Sequence, residues 1–467
     1  MNATVFLDDF AVESRIGFRR RLFQPTLLPD REYGGPGSSW GRIVGTARSD
    51  RFLLYHQWMP DMQEDWARRV VVLEAHSPLS FEPEVIRATR QTAMDGVGGI
   101  PNVQVTYDPH DPNPAQRFKS ITLDYTDIDH AWGTIATSPD GLSWDAHPEY
   151  RFCDHYPDTN SSIHYNEAVG GYVLYYRAAL TDRRLHVTTS TDLRRWEQPR
   201  VILAPDTQDE PGTQIYGMTV ADAGGYWIGL PQIYRTDPRD PVPYKMAGVV
   251  DMDVAVSYDG LYWNRAHAEP PIPRRQPGEY GHGGVYGSSI VEDPESGDWI
   301  VHTNEPMTQH AFGYKPAYPD TELSDALRRD GTTRSRLYRI RKDGFVGLES
   351  FAHRAALTFA AFDLLSANVG LNVRTAAHGW IRFRVTDGSG DPIAGFDFED
   401  SVPFSGDDTH HVPRWKGASL EKLIGRRLRL ELDAYEAIVF ALRGDFRPHH
   451  GYHSQVSWGR PAPVHET

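Results

Sequence analysis

Acidic side chains recur in short polar segments that each lead into a predicted β-strand. These segments are residues 30–33, 154–160, 209–214 and 279–284. Two carboxylates, one protonated and one ionised, can cleave a glycosidic bond by acid catalysis combined with nucleophilic or general-base attack. The His, Asn, Gln and Tyr side chains of the same segments can hydrogen-bond sugar hydroxyls. If the segments converge, they predict a pocket with acid–base chemistry.

Five residues of these segments are the catalytic candidates. We expect Asp158 to be the base or nucleophile. Glu210 is the candidate general acid, and the neighbouring Asp209 would raise its pKa by like-charge repulsion. Glu279 would be a second acid or a ligand for substrate hydroxyls. His282 would bind substrate or assist proton transfer, because the ordinary pKa of histidine is near neutrality.

Six further residues are candidates for binding substrate. Aromatic rings can stack on a sugar face, a guanidinium can keep a neighbouring acid ionised, and amides or carboxylates can bind hydroxyls. The candidates are Trp40, Asn160, Arg177, Gln214, Tyr216 and Asp30. Each also has a structural interpretation, since polar residues before strands commonly form turns.

A repeated phrase predicts how these segments are positioned. Residues 138–144, 190–196 and 257–263 each carry Ser, then Asp two residues later, then Trp after four more. A shortened echo, residues 77–81, ends in Phe. Repeats spaced by roughly 50 to 65 residues fit four-stranded propeller blades. The Ser/Asp pair would close a turn and the Trp would pack between blades, so Asp140, Asp192 and Asp259 are excluded from the site.

The β-rich runs divide the chain into domains. Five sets of short runs before residue 345 predict five blades, because a sixth would need more chain before residue 350. Alternating strands after that point, such as residues 380–385, predict a β-sandwich. The fold class is therefore all-β: a five-bladed β-propeller catalytic domain (1–345), a C-terminal β-sandwich (346–446) and a tail (447–467). The sandwich is interpreted as structural, with sugar binding as the alternative.

Composition limits the partners and cofactors. The net charge of −15 excludes a general nucleic-acid binder, and a polyanionic substrate would require a local basic patch. Cys153 is the single cysteine, so intrachain disulfides and cysteine metal sites are excluded. No His-Glu-x-x-His spacing or phosphate loop occurs, and we expect no metal and no cofactor.

The same composition bears on location and assembly. No run approaches 18 apolar residues and no basic start precedes an apolar segment. We therefore expect no membrane partner and a cytoplasmic location, with secretion of a trimmed precursor as the alternative. A homo-oligomer is compatible with the sequence. The expected partner is a carbohydrate.

The chain resembles a known superfamily. A five-bladed propeller followed by a sandwich, the repeated Ser-x-Asp phrase and the run at residues 171–177 are typical of furanosidases of glycoside hydrolase families 32, 43, 62 and 68. The runs at 342–348, 395–396 and 412–417 are similar to a group of bacterial family-32-like proteins. The resemblance implies carboxylates at the starts of the innermost strands, where the blades converge on one axial pocket.

The resemblance also implies an activity, with one departure. The nucleophile, Arg-Asp-Pro and Glu-Cys boxes of family 32 invertases are not in place, so invertase activity is not implied. The implied function is an exo-acting glycoside hydrolase on a fructo- or arabinofuranoside, using two or three carboxylates. The alternatives are a non-catalytic carbohydrate-binding propeller and a transglycosylase or lyase on the same scaffold.

Overall fold

The chain folds into two compact units of β-structure. The computed structural model describes residues 2–33, 38–46, 50–58, 69–81, 104–127, 130–155, 157, 160–178, 183–236, 248–267, 269–310 and 333–448. One unit contains residues Gln24–Ala221 and Trp227–Lys342. The other contains Met1–Phe23, Asp222–Tyr226 and Asp343–Thr467.

The first unit is a five-bladed β-propeller, and in each blade the first strand is the inner one. Blade I contains Ser38–Gly45, Phe52–Trp58 and Arg69–Ala75; blade II contains Val105–Tyr107, Phe118–Asp127, His130–Ser138 and Asp145–His147. Blade III contains Ser162–Asn166, Gly171–Tyr176, Leu185–Ser190 and Arg200–Leu203; blade IV contains Thr213–Asp222, Trp227–Thr236, Gly248–Met252, Ala255–Ser257 and Asn264–Arg265. Blade V contains Tyr286–Glu292, Trp299–Pro306, Thr333–Ile340 and, as its outermost strand, Thr26–Tyr33. A 3₁₀ helix, Pro114–Gln116, precedes the second strand of blade II.

The ring of blades is closed by chain from both ends of the propeller sequence. Thr26–Tyr33 pairs antiparallel with Thr333–Ile340, so an early strand completes the last blade. Leu28 and Tyr33 of this strand pack in the core between blades V and I. The early strand therefore covers an edge of blade V that would otherwise expose unpaired backbone groups.

Apolar side chains fill the interfaces between successive blades. Separate clusters join blades I and II, II and III, III and IV, and V and I. Tyr234 and Val250 of blade IV meet Tyr286 of blade V in a fifth cluster. Because every strand alternates its side chains between two faces, each blade can supply apolar residues to both neighbours.

The repeated phrase forms the predicted turns. In the second blade, Ser138 Oγ accepts the amide of Gly141 at 2.8 Å, and Asp140 Oδ1 accepts the amides of Leu142 and Ser143, both at 2.8 Å. The same hydrogen bonds to the aspartate recur around Asp192 and around Asp259 in the next two blades. The closing tryptophans and the Phe of the echo lie in the inter-blade clusters, at Trp144, Trp196, Trp263 and Phe81.

The second unit is built from one sheet of eight strands. Its strands are Asn2–Val5, Val12–Ile16, Phe18–Leu22, Val346–Ser350, Ala355–Phe359, Phe362–Asp387, Asp407–His411 and Arg427–Pro448. The two long strands pair with each other and, between them, with four of the other six strands, which curls the sheet into the predicted β-sandwich. A 3₁₀ helix, Leu420–Leu423, packs its two leucines inward.

The all-β fold class is confirmed, but the domain boundaries differ from the prediction. The first three strands of the chain belong to the sandwich, because Asn2–Val5, for example, pairs with the last strand. Arg447 and Pro448 end that last strand and do not begin a tail. Among the described residues there is no helix that is both long enough and apolar enough to cross a membrane.

Candidate functional site

An aromatic cluster lies where the inner strands of blades IV, V and I begin. Its members are Trp40, Tyr216, Tyr234, Tyr286 and His310. Trp40 meets Tyr286 edge-on at 4.6 Å between ring centroids, and Tyr216 meets Tyr286 in the same way at 5.8 Å. Trp40, Tyr216 and Tyr286 stand near the beginnings of their strands, so strand direction brings their rings to one face of the propeller. We call this face the axial mouth.

His310 connects two phenols of the aromatic cluster. Its Nε2 lies 3.2 Å from Tyr216 Oη, and its Nδ1 lies 3.0 Å from Tyr234 Oη. Burial raises the pKa of Tyr234 to about 12, although Arg183 acts in the opposite direction. The Tyr234 phenol therefore keeps its proton at neutral pH, and His310 links it to the Tyr216 phenol through its two ring nitrogens.

Two guanidinium groups flank the ring of Tyr216. The guanidinium carbon of Arg177 lies 5.5 Å from the ring centroid and that of Arg183 lies 5.7 Å from it. Arg183 also lies 5.2 Å from the Tyr234 ring and donates to Gln214 Oε1 at 2.9 Å. Cation–π contacts of this kind fix the orientation of both planar groups.

A third guanidinium is buried among uncharged polar groups. Arg42 of the blade I inner strand is 4% exposed and donates to the carbonyl of Ser161 at 3.5 Å. Gln104 accepts the amide of Ser161 at 2.9 Å, which brings the starts of blades I, II and III together. Burial lowers the pKa of Arg42 to about 10, so the group stays charged at neutral pH.

Three buried imidazoles surround this region of the propeller. Burial lowers the pKa of His56 to about 4, and burial with Arg42 as a further cause lowers those of His164 and His302 to about 3. They are consequently neutral at pH 7. The ring nitrogens of His302 and the Nε2 atoms of the other two have no hydrogen-bond partner among the described residues. The interior near Arg42 is therefore polar but adds no opposite charge.

The structure brings together four of the predicted binding residues. Trp40 and Tyr216 belong to the aromatic cluster. Arg177 lies over the ring of Tyr216, and Gln214 accepts a hydrogen bond from Arg183. Asn160 lies directly before Ser161 at the start of blade III and is half-buried. Their roles in binding remain predictions.

Asp30 occupies a different place from the predicted one. It is exposed on Thr26–Tyr33, the outermost strand of blade V. The sequence order suggested that it precedes blade I, but this segment pairs at the edge of the last blade because the ring is closed there. Asp30 is consequently separated from the inner strand of blade V by the two middle strands of its sheet.

The structure places the predicted acids in unequal surroundings. Asp158 lies outside the described residues. Glu210 is exposed and lies 3.6 Å from Arg235. Asp209 is buried, and Arg265 forms a two-pronged ion pair with it at 2.8 and 3.0 Å. Burial raises the pKa of Asp209, but hydrogen bonds from Arg265 and the Asp206 amide outweigh burial and lower it overall.

Glu279 and His282 belong to one surface turn. Glu279 is exposed and accepts the amide of Gln276 at 3.0 Å, so its carboxylate closes its own turn. The amide of His282 donates to the Glu279 carbonyl at 3.1 Å. The imidazole of His282 is half-buried. Neither side chain contacts the aromatic cluster in the described structure.

Several residues of the axial mouth were missed by sequence reasoning. Arg42, Arg183, Tyr234 and His310 stand inside strands or in a connection, where no motif marks them. The sequence prediction considered acids that precede the inner strands. The described residues at the starts of these strands carry amide, hydroxyl and aromatic side chains instead. Arg42 could have been found by considering the side chains that alternate toward the axis along each of the five inner strands.

A buried carboxylate was missed as well. Glu305 is fully buried and accepts hydrogen bonds from Arg336 at 2.6 Å, from Tyr338 at 2.6 Å and from Thr303 at 2.9 Å. All of these residues belong to blade V. Because its carboxylate accepts three hydrogen bonds from the same blade, we interpret Glu305 as a structural acid that stabilises this sheet.

One group of described side chains has the spacing of metal ligands. Asp206, Asp209 and His267 place one donor atom each within 4.8 Å of one another. The guanidinium of Arg265 already neutralises Asp209, and its positive charge opposes a cation there. Burial raises the pKa of the Cys153 thiol to about 12, so this cysteine is not a reactive nucleophile at neutral pH.

The fold and site define a β-propeller protein with an aromatic, arginine-lined axial mouth. Scans of this chain against protein-family models and against curated proteins give no match. Among solved structures, it is similar to a thermostable family-43 glycoside hydrolase, with 14% identity, a TM-score of 0.46 and coverage of 69% of this chain and 95% of that one.

Two further solved structures are similar to the chain. An endo-arabinase from Bacteroides thetaiotaomicron has 12% identity and a TM-score of 0.41, with 69% of this chain and 99% of that one covered. A family 32 β-fructofuranosidase from Bombyx mori has 12% identity and a TM-score of 0.38, with 87% and 93% covered. These names agree with the superfamily resemblance, while the narrower family-32-like group stays a prediction. At these scores no activity or residue role is transferred from them.

Proposed function

We propose that this protein is a glycoside hydrolase whose substrate binds at the axial mouth. The observation that carries the proposal is the meeting of Trp40, Tyr216 and His310, all half-buried, with Arg183 and Gln214. Aromatic walls combined with a few fixed polar groups suit a sugar, whose ring has apolar faces and a polar edge. We further propose a furanoside as substrate, on the resemblance stated from the sequence.

The proposed catalytic residues follow from what the described acids already do. Asp158 remains the proposed base or nucleophile, since it precedes the inner strand of blade III by four residues. Glu210 is the proposed acid because it is exposed and precedes the inner strand of blade IV by three residues. Asp209 is held in an ion pair with Arg265, and Glu279 accepts an amide hydrogen bond in its own turn, so both side chains have structural roles. These two residues and His282 are therefore secondary candidates for catalysis.

The test is hydrolysis of aryl furanosides, aryl pyranosides, fructans and arabinans by the wild type and by two variants. Asp158→Asn and Glu210→Gln should each reduce turnover by about 10²–10⁴-fold, the usual contribution of a positioned proton-transfer group. Glu292→Gln is the control, because that glutamate pairs with Lys342 on the surface of blade V. Turnover that survives both substitutions would remove these residues from the mechanism.

A second candidate function is a carbohydrate-binding propeller without catalysis. It is favoured by one observation: the described residues at the starts of the inner strands include no carboxylate. In that case wild type and variants would bind sugars with equal affinity, and none of the substrates would be cleaved. Calorimetric titration of the same panel separates the two functions.

A further inference from the structure

The axial mouth contains an arginine whose charge is not balanced by any acid that the structure describes. Arg183 donates to the neutral amide of Gln214 and lies over two tyrosine rings. Among the described residues no carboxylate lies within ion-pair distance of it. Its Nε atom is buried and has no hydrogen-bond partner there. A half-buried guanidinium in this state retains donors for an anion.

Arg42 extends the positive charge toward the inner strands of blades II and III. It is 4% exposed, and within the described ranges its side chain donates one hydrogen bond, to the Ser161 carbonyl. The hydroxyl of Ser161 and the Nε2 amide group of Gln104 are buried next to it without hydrogen-bond partners among the described residues. An uncompensated buried cation is costly, and a bound anion would remove that cost.

Three described acids of blades IV and V are already matched by other arginines. Asp251 accepts from Arg235 at 2.6 Å and from Arg274 at 2.7 Å. Glu305 and Glu32 are matched in the same way by Arg336 and Arg334. Arg42 and Arg183 therefore remain as local positive charge, although the whole chain carries −15. This is the local basic patch that an anionic substrate would require.

We propose that the axial mouth recognises a sugar bearing an anionic group, a carboxylate or a sulfate, and that Arg183 binds that group. This inference rests on the proposed function, because it assigns a substrate class to the same site. The guanidinium presents parallel N–H donors that match two oxygens of a carboxylate or sulfate. Tyr216 and Tyr234 hold the guanidinium plane, so that little side-chain entropy is lost when the anion binds.

The experiment compares ligands that differ only in charge. Uronic-acid oligosaccharides are titrated beside their methyl esters, and sulfated oligosaccharides beside their desulfated forms, with calorimetry as the measurement. The proteins are the wild type, Arg183→Gln, Arg183→Lys and Arg200→Gln. Arg200 is the matched control, because its guanidinium also lies over a tyrosine ring, at 4.8 Å from Tyr262, but on the outermost strand of blade III.

We expect the wild type to bind a charged oligosaccharide at least tenfold more tightly than its neutral counterpart. Arg183→Gln should weaken binding of the charged ligand at least tenfold more than binding of its neutral counterpart, while Arg183→Lys keeps part of the preference. Arg200→Gln should behave as the wild type. The uronate and sulfate series show which anionic group is bound. Thermal unfolding of each variant checks that the fold is kept.

Two results would overturn the inference and are distinguishable. If neutral glycosides bind and charged ones bind no more tightly, or if Arg183→Gln weakens both equally, the anionic substrate class is wrong and the proposed function stands. If no glycoside of either kind binds to the wild type, the proposed function is wrong together with the inference.

Discussion

The buried arginines discussed above fall into two groups, those paired with a carboxylate and those bonded to neutral groups. We interpret the first group as structural and the second as functional. Arg265 and Arg336 each hold a buried carboxylate at short distance. The partners that the structure describes for Arg42 and Arg183 are neutral. Since a buried ion without a partner is unfavourable, the first group stabilises the fold and the second is retained at a cost to stability. Costs of this kind are expected at sites that bind something.

The carboxylate of Glu305 gives a test of the first group. We expect Glu305→Gln to lower the free energy of unfolding by about 1–3 kcal/mol, because Arg336 would lose its buried charged acceptor and, of its described ion-pair partners, keep only Glu32. Urea denaturation measures this change. Glu292→Gln, at an exposed ion pair with Lys342, should change stability by less than about 0.5 kcal/mol. Equal effects of the two substitutions would mean that Glu305 is not a structural acid.

At the scale of elements, the repeated turns are what makes each blade similar. Serine and aspartate side chains satisfy the turn amides in three successive blades, and the tryptophan that follows packs between blades. Gly141 and Gly260 have φ of 77° and 73°, whereas Leu193 adopts 64° at the same position of blade III. A leucine in the left-handed region is unusual, and burial of its side chain at 1% exposure offsets that cost.

The turn aspartates predict a pH dependence of stability. Burial raises the pKa of Asp140, but the amides of Ser143 and Leu142 and the Ser138 hydroxyl lower it overall. A depressed folded-state pKa contributes stability that is present above the ordinary value of 3.8 and is lost as the pH falls through the folded value. Asp140→Asn should therefore be less stable than the wild type at pH 6, and the difference should shrink below pH 3.8.

Thermal unfolding across that pH range checks the prediction. Asp145→Asn is the control, because Asp145 is exposed in the neighbouring strand of the same blade and no side-chain bond to it occurs in the described structure. Its difference from the wild type should not change with pH. A gap between Asp140→Asn and the wild type that stays constant from pH 6 to below pH 3.8 would contradict the argument.

At the scale of the whole molecule, the beginning of the chain serves both units. Residues 2–22 supply three strands to the sandwich, and Thr26–Tyr33 supplies the outermost strand of blade V. Propeller stability thus depends on a segment that the sequence places before the first blade. Pairing of strands so far apart in sequence costs loop-closure entropy, and the contacts at the closure must offset this cost.

Truncation tests this closure. A chain that begins at residue 24 keeps the closing strand, and a chain that begins at residue 34 lacks it. The second should unfold at a lower temperature than the first, because the apolar contacts of Leu28 and Tyr33 are lost. Burial of two such side chains contributes about 3–6 kcal/mol. Scanning calorimetry measures the difference, and equal unfolding temperatures would show that the strand is dispensable.

The sequence by itself determined the class of fold. The spacing of the Ser-x-Asp phrase predicted the blades and their turns, because hydrogen bonds within six or seven residues do not need the rest of the chain. Alternation in short runs predicted the strands. The sequence also pointed to four substrate-binding candidates that meet in the structure, because they stand near strand ends that a propeller brings to one face. These candidates are Trp40, Arg177, Gln214 and Tyr216.

The tertiary structure decided what the sequence could not. The place of Asp30 depends on a strand pairing between residues 26–33 and 333–340, which local patterns do not encode. Whether Asp209 is reactive or structural depends on Arg265, which lies 56 residues away in sequence. That no described acid pairs with Arg42 or Arg183 is likewise visible only in the folded chain, because an ion pair depends on distance in space and not on order along the chain.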